Sequence, residues 1–361
     1  MNSKGCAVWG VLVIATAGAL PACRSDRGDD KTGGSGAAAT AADGSQGSGG
    51  NAAGFESLAW RSSLDYGDEE PPWIVNDAIH GTSATDVFVV GHFGTGAGPD
   101  TCFIDRLVGD SWQTVEETDA CLNSVWAASP SLVFASGYVG AGDSGIVRID
   151  LSEGSAQNFV LEVGPTGVWG WGEEDVLAVG IGGTIVHYDG GTWAVEQSGT
   201  GADLKAVWGP DPDNVFAVGD GGTILMRAGG VWSTMDSGTS LALNDIWGSG
   251  PSDVYAVGGR DGDPGHVILH FDGIRWSLVH EGDDRVSALL GVAGRAASDI
   301  CAVGAYRDAD ETAHALVLRF DGSAWRELPL QAEAFLWDVW PAGADAYYVV
   351  GPDDTLAIVR D

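Results

Sequence analysis

The chain is short of positive charge: 17 lysines and arginines stand against 51 aspartates and glutamates, a formal net charge of −34 over 361 residues. Such a field repels phosphate backbones and anionic headgroups and favours cations or basic partners, so nucleic-acid binding is disfavoured. Helical periodicity is also missing, which removes the α and α/β fold classes. No G-x-S-x-G elbow, H-E-x-x-H pair or phosphate-binding P-loop is present, so the usual hydrolase, metalloprotease and nucleotide signatures are absent. Length leaves room for two average domains, but all-β closed folds of about 250 to 300 residues count as one.

Long apolar runs are confined to the N-terminus. "MNSKGCAVWGVLVIATAGALPAC" places Lys4 before an apolar run from Cys6 to Leu20, too short for a comfortable membrane span, and closes on small residues. Residues 1–22 therefore read as a secretory signal. Leu20-Pro21-Ala22-Cys23 resembles the bacterial lipobox, although Pro21 is not the usual residue there; cleavage at an ordinary secretory site is the alternative. The resemblance implies that Cys23 is lipidated and becomes the new N-terminus, with enough acyl chain for stable anchoring at the cell envelope. Arg24 follows Cys23 where inner-membrane-retained lipoproteins carry aspartate, which points to the outer membrane. Residues 23–56 read as the lipidated Cys23 and a flexible linker: from Arg24 to about Gly54 the chain is mostly Gly, Ser, Ala and Asp without an aromatic, too polar to offset the ordering entropy of its residues. As a flexible coil they reach roughly 30 Å.

The rest of the chain, 57–361, repeats. A tryptophan or its substitute is followed eleven residues later by glycine in seven copies: His80 to Gly91, Trp126 to Gly137, Trp169 to Gly180, Trp208 to Gly219, Trp247 to Gly258, Ala293 to Gly304 and Trp340 to Gly351. Each copy reads as a strand such as "KAVWG", a tight turn, a second strand such as "NVFAVG", a third such as "GTIVHYDG" and a fourth opening near a second aromatic. Four short strands per repeat is propeller arithmetic. The fourth-strand aromatics are Trp112, Phe159, Trp193, Trp232, Trp276 and Trp325; the last copy stops after its third strand, and "SLAWRSS" with Trp60 supplies the missing signature. The expectation is an all-β, single seven-bladed β-propeller of four-stranded blades, its ring closed by the N-terminal strand, which leaves no sheet edge exposed.

The pattern "VWG…DVxAVG…GTIxHYDGxxW" resembles the repeat of exported bacterial β-propeller proteins of the Kelch and Asp-box type. The resemblance spans about the whole repeat region and implies a fold, not an activity. Asp189, Asp272 and Asp321 in "YDGGTW", "FDGIRW" and "FDGSAW" sit one residue closer to tryptophan than in the sialidase Asp-box. They read as turn-fixing carboxylates, as do Asp86, Asp175, Asp253 and Asp299 before the second strand.

Fifteen tryptophans suggest sugar stacking, but eleven fall on the two repeat positions, where they read as packing between blades; outside the signal only Trp73, Trp171 and Trp337 do not. His187, His270, Arg106 and Arg319 share one third-strand position that also accepts Met226, a partly exposed face and no metal site. Cys102 and Cys121 are placed to pair in an oxidising compartment, and Cys301 in "DICAVG" reads as a buried core residue.

Loop length separates the two ends of the repeat. The first-to-second turn is constant, whereas the second-to-third connection is minimal in the third and fourth copies and longer elsewhere: "HFGTGAGPDTC", "YVGAGDSG", "GRDGDPGH", "AYRDADETAH". Second-to-third and fourth-to-first connections share a face, so one face is uniform and the other variable. Variable loops on a rigid frame are places of recognition. The candidate binding residues are His92, Asp100, Tyr138, Asp143, Arg260, Asp261, Asp263, His266, Tyr306, Arg307, Asp308, Asp310 and Glu311. Neutral insertion is the alternative; a calcium site on Asp261, Asp263, Asp308, Asp310 and Glu311 lacks any known calcium-loop spacing. The reading is a non-enzymatic, lipid-anchored envelope module that binds a protein or glycan, with no catalytic residue, metal or cofactor assigned. Its rivals are an exported glycan hydrolase or lyase and a purely structural envelope component. A convergent carboxylate pair of raised pKa in the channel would favour the hydrolase; a smooth channel would favour binding.

Overall fold

The computed structural model describes residues 54–57, 73–94, 101–109, 111–118, 121–139, 143–161, 164–283, 285–330, 332–344, 346–352 and 356–360. The signal sequence, Cys23, nearly all of the linker, Trp60 and Asp100 lie outside them. The described residues are all-β, with two three-residue 3-10 turns, Ile181–Gly183 and Asp220–Gly222, as helical pieces.

The strands group into four-stranded antiparallel sheets, each laid down in chain order. The first holds Trp73–Ser83, Asp86–Gly94, Thr101–Val108 and Ser111–Thr118; the second Cys121–Ser129, Leu132–Tyr138, Ser144–Asp150 and Ser155–Val160. The third holds Pro165–Gly172, Asp175–Gly180, Thr184–Tyr188 and Trp193–Glu196; the fourth Leu204–Asp211, Asn214–Gly219, Ile224–Ala228 and Val231–Met235. Leu243–Gly250, Asp253–Pro264, His266–Phe271 and Trp276–Glu281 follow, then Val286–Ala296, Asp299–Arg307, Ala313–Phe320 and Trp325–Glu327. These last two sets are joined, because Asp253–Pro264 also pairs with Val286–Ala296. The C-terminal strands Asp338–Pro341, Ala346–Val350 and Leu356–Arg360 take Gly54–Ser57 as their fourth partner, antiparallel to Leu356–Arg360. The repeat pattern placed the fourth-strand signature at Trp60, which lies outside the described residues; the strand found is upstream of it. Gly54, Phe55 and Glu56 fall in the segment expected to be flexible linker, and they are strand instead because their backbone pairs with Leu356–Arg360.

Second strands are continuous apolar runs because both their faces are covered: Val176 to Gly180 and Val215 to Gly219 are buried throughout. Fourth strands are the outer edges, and Ser155–Val160 is largely exposed. The apolar clusters each straddle two neighbouring sheets. Phe88 and Ile104 pack with Val125 and Val133, Phe216 with Leu269 and Trp276, and Val87 and Ile74 of the first sheet with Tyr348 and Val350 of the C-terminal one.

The repeat's two glycines follow from this stacking. A Cβ on Gly170, Gly248, Gly294 or Gly81 would fall 2.5–2.9 Å from the indole of Trp126, Trp208, Trp247 or Trp340, the tryptophan of the preceding repeat. "WG" therefore states that each ring lies on the next sheet's glycine. The glycine eleven residues on is needed for a different reason: a Cβ on Gly180, Gly219, Gly258 or Gly304 would lie 1.9–2.1 Å from the carbonyl oxygen of Gly164, Asp203, Ala242 or Ala288, at the entry to the first strand. No side chain fits between those backbones, which is why the spacing is constant.

The aspartates behave as two sets. Asp189, Asp272 and Asp321 each accept two backbone N–H bonds within their turn, through Thr192, Arg275 and Ala324 among others; these bonds hold the carboxyls of Asp189 and Asp272 below their usual range, and the Ser323 hydroxyl, followed by such bonds, does so for Asp321. Asp86, Asp175, Asp253 and Asp299 instead reach across to the third strand. They pair with Arg106, His187, His270 and Arg319 at 2.7, 2.7, 2.7 and 2.5 Å. The repeated third-strand Arg or His is thus half of a clamp on the uniform first-to-second turn. Cys102 and Cys121 are joined, Cα to Cα 5.1 Å, tying the first sheet's third strand to the second sheet; Cys301 is fully buried.

Candidate functional site

Six of the first strands carry a candidate residue in a β-bulge. In the first six sheets the pairing of first with second strand slips by one residue, between Asn76 and Ala78, Leu122 and Ser124, Pro165 and Gly167, Leu204 and Ala206, Leu243 and Asp245, and Leu289 and Gly291. The skipped residues are Asp77, Asn123, Thr166, Lys205, Asn244 and Leu290; Trp337 holds the equivalent sequence position in the last copy. Bulges re-aim side chains, and here all seven residues line one cavity of about 190 Å³ that touches the first strand of every sheet. They stand at the start of the first strand, on the side of the variable loops.

Below them, toward the uniform turns, the repeat tryptophans crowd the cavity. Trp169 lies 6.4 Å from Trp126 and 6.3 Å from Trp208, and His80, which replaces tryptophan in the first copy, lies 4.4 Å from Trp340 and 5.6 Å from Trp169. His80 accepts the Ala127 N–H on Nδ1, and burial lowers its pKa to about 3, so it is neutral.

The polar residues also stitch neighbouring first strands together. Thr166 donates to the Leu204 carbonyl (2.6 Å), Lys205 to Asn244 Oδ1 (3.0 Å) and Asn244 to the Leu289 carbonyl (2.8 Å). Asp245 accepts the Val292 N–H (2.7 Å), and Asp338 accepts those of Ile79 (3.0 Å) and Val339 (2.7 Å). Asp245 and Asp338 both line the cavity. Burial raises both carboxyls, Asp338 to about 7, and the charge of Asp338 raises Asp245 further. This is the raised carboxylate pair that the hydrolase reading requires, and it was not legible in the sequence. Each member is committed to a backbone N–H of the following sheet, which is the work of a clamp.

The loop candidates separate into three groups. His92 reaches from the start of its loop to Asp77 (2.8 Å), and burial raises Asp77 despite that partner. Tyr138 and Tyr306 are half-buried, while Asp143, Arg260, Asp310 and Glu311 are exposed. Asp308 organises its own turn, accepting N–H bonds from Asp310 and Thr312 and pairing with His314 (2.8 Å), and Arg307 donates to the Glu311 carbonyl (3.0 Å). Asp261 and Asp263 lie in the extension Asp253–Pro264, and their side chains are outside the described residues. Two expectations change here. "GRDGDPGH" is no free loop, because its backbone pairs with the next sheet through Gly259↔Ala288 and Pro264↔Val286. His266 is no exposed recognition residue: it is 2% exposed, covered by Gly282, Ser287 and His280.

Of the tryptophans without a repeat role, Trp171 donates to the Gly209 carbonyl and packs in the core between the third and fourth sheets, and Trp337 lines the cavity. The bulge residues and the carboxylate pair were missed in the sequence. The signal was available as two first-strand positions whose chemistry differs from copy to copy: three before the tryptophan for the bulge residues, and two before it, where Asp245 and Asp338 stand among Ala, Ser and Gly.

No protein-family model matches the chain, and no curated protein matches it. Solved structures do. A YCF48 protein from Cyanidioschyzon merolae is similar at TM-score 0.58 and 15% identity, over 86% of this chain and 98% of that one. A YCF48 structure described as bound to D1 peptide is similar at 0.56 and 15%, over 82% and 96%. The WD40 β-propeller domain of Doa1 is similar at 0.61 and 12%, over 85% and 97%. At these identities the likeness is one of fold, and together with the repeated four-stranded sheets it makes the described chain a β-propeller.

Proposed function

We propose that this chain is an exported, lipid-anchored binding module, a seven-bladed propeller closed by Gly54–Ser57, that recognises a protein partner without chemistry. Closure rests on the core shared by the first and C-terminal sheets and on the bonds from Ile79 to Asp338 and from Trp340 to the Ser83 carbonyl. The observation that carries recognition is the contrast between repeat positions. One before the tryptophan, all seven copies hold Ile or Val; three before it they hold Asp, Asn, Thr, Lys, Asn, Leu and Trp. Packing accounts for the uniform position, and a site built for a ligand accounts for the variable one. A peptide-bound YCF48 of the same fold supports a protein partner over a glycan, and the charge of −34 favours a basic one.

The test is binding to peptide and glycan arrays by the purified chain, compared with a variant whose "AYRDADETAH" and "YVGAGDSG" loops are cut to the minimal "DGGT" form and with Lys205→Ala. Peptide ligands should be held by the parent and weakened at least about tenfold by trimming or by the bulge substitution. Equal binding by all three sinks the proposal. The carboxylate pair keeps one rival in play: if a bound glycan is cleaved, and cleavage stops in Asp338→Asn, the chain is a hydrolase. The anchor is tested separately. Labelled fatty acid should enter the parent and not Cys23→Ser, and a parent that stays unlabelled and soluble is an ordinary secreted protein.

A further inference from the structure

We propose that His266 and His280 together bind a zinc-like divalent transition-metal ion through their Nε2 atoms, at the junction of the fifth and sixth repeats. The two nitrogens stand 3.3 Å apart with ring centroids separated by 5.3 Å. Two imidazole nitrogens at about 2.05 Å from one tetrahedral zinc lie about 3.3 Å apart, so the rings already have the separation that a shared ion imposes.

The hydrogen bonds fix the tautomer that a metal needs. Ser287 donates its hydroxyl proton to the Arg285 carbonyl (3.2 Å), so its oxygen accepts from His266 Nδ1–H (2.9 Å), and the lone pair of His266 is left on Nε2. A partner on the other ring nitrogen is the usual outer support of a metal-bound histidine. Without an ion, His280 Nε2–H donates to that lone pair; with one, the His280 proton sits on Nδ1 and no proton is lost.

The surroundings admit an ion. His280 is half-buried and also lines a second cavity, of about 500 Å³, with Tyr255, His270, Phe320 and Trp325. Arg285 is the cation nearby, and it is held by Asp283 (2.9 Å) and Glu327 (2.7 Å), whose two negative charges exceed its one. Among the described residues no three His, Cys, Asp or Glu side chains form a metal cluster. The pair therefore supplies two positions and leaves the others to water or to Glu327 released from Arg285, an open and exchangeable site. This inference does not depend on the partner-binding reading.

The experiment is competition of the chelator-treated full chain against a chromogenic zinc indicator at physiological salt with excess magnesium, and Co²⁺ absorption as a second readout. One equivalent of Zn²⁺ should bind, with a tetrahedral Co²⁺ spectrum. His280→Gln, at a half-buried position, should weaken binding at least about tenfold and abolish that spectrum; Ser287→Ala should weaken it about ten- to a hundredfold. His314→Gln should change nothing. Absence of a stoichiometric site, or equal affinity in His280→Gln, overturns the proposal, the latter showing diffuse binding to surface carboxylates.

Discussion

Gly219→Ala is expected to cost on the order of 4 kcal/mol or more and to abolish cooperative folding at moderate temperature. The added Cβ would stand 2.0 Å from the Asp203 carbonyl oxygen and 2.9 Å from Asp203 C and Leu204 Cα, all backbone atoms that cannot rotate away. Relief requires the first and second strands to part, and those strands position Lys205 in the cavity. Gly250→Ala is the control. It ends the first strand of the next sheet, at ordinary φ with no atom within 4 Å, so it should stay within about 1 kcal/mol of the parent and can be stabilising. Urea unfolding of the three proteins measures this. A mild Gly219→Ala would mean that the constant spacing has some other cause.

Asp338→Asn is expected to stabilise the protein above neutral pH and to be neutral or harmful near pH 5. The sign follows from the raised carboxyl. Between the ordinary carboxyl range and about 7 the folded state binds more protons than the unfolded one, so stability falls as pH rises through that window, and above it the cost of a buried charge beside Asp245 is complete. The separation from 3.8 to about 7 corresponds to about 4 kcal/mol at the upper end. Asparagine keeps an acceptor for the Ile79 N–H without the charge. The net charge of −34 adds self-repulsion of the same sign. The readout is therefore the difference in Tm between variant and parent from pH 5 to 8, which should grow with pH. A difference independent of pH would show that Asp338 is an ordinary carboxylate.

The fold was legible to the extent that it was repetitive. The constant interval from Trp208 to Gly219 and its copies, the turn signature "YDGGTW" and the apolar second strands all reflect local strand geometry repeated in one register, so the sheets appear where the pattern put them. The candidate site was legible only as a location. The variable side was visible in loop lengths, but His92 and Lys205 matter there through Asp77 and Asp220, which reach them across strands. His266 was misread because the chain around it is glycine-rich and polar, the composition of a loop; its burial comes from Gly282 and Ser287, which pack over it from the fourth strand and the next sheet.

By itself the sequence determined the all-β class, the four-strand repeat, the uniform turns and the acidic field, because each depends on neighbours a few residues away or on composition alone. Tertiary structure decided which side chains meet. Stacking sheets side by side brings first-strand edges that are far apart in the chain around one cavity, and only that arrangement sets Asp245 against Asp338 and aims the bulge residues at a common space. It also lets Asp253–Pro264 cross to the next sheet and closes His266 over His280. Burial and convergence are properties of the stack, and no single repeat encodes them.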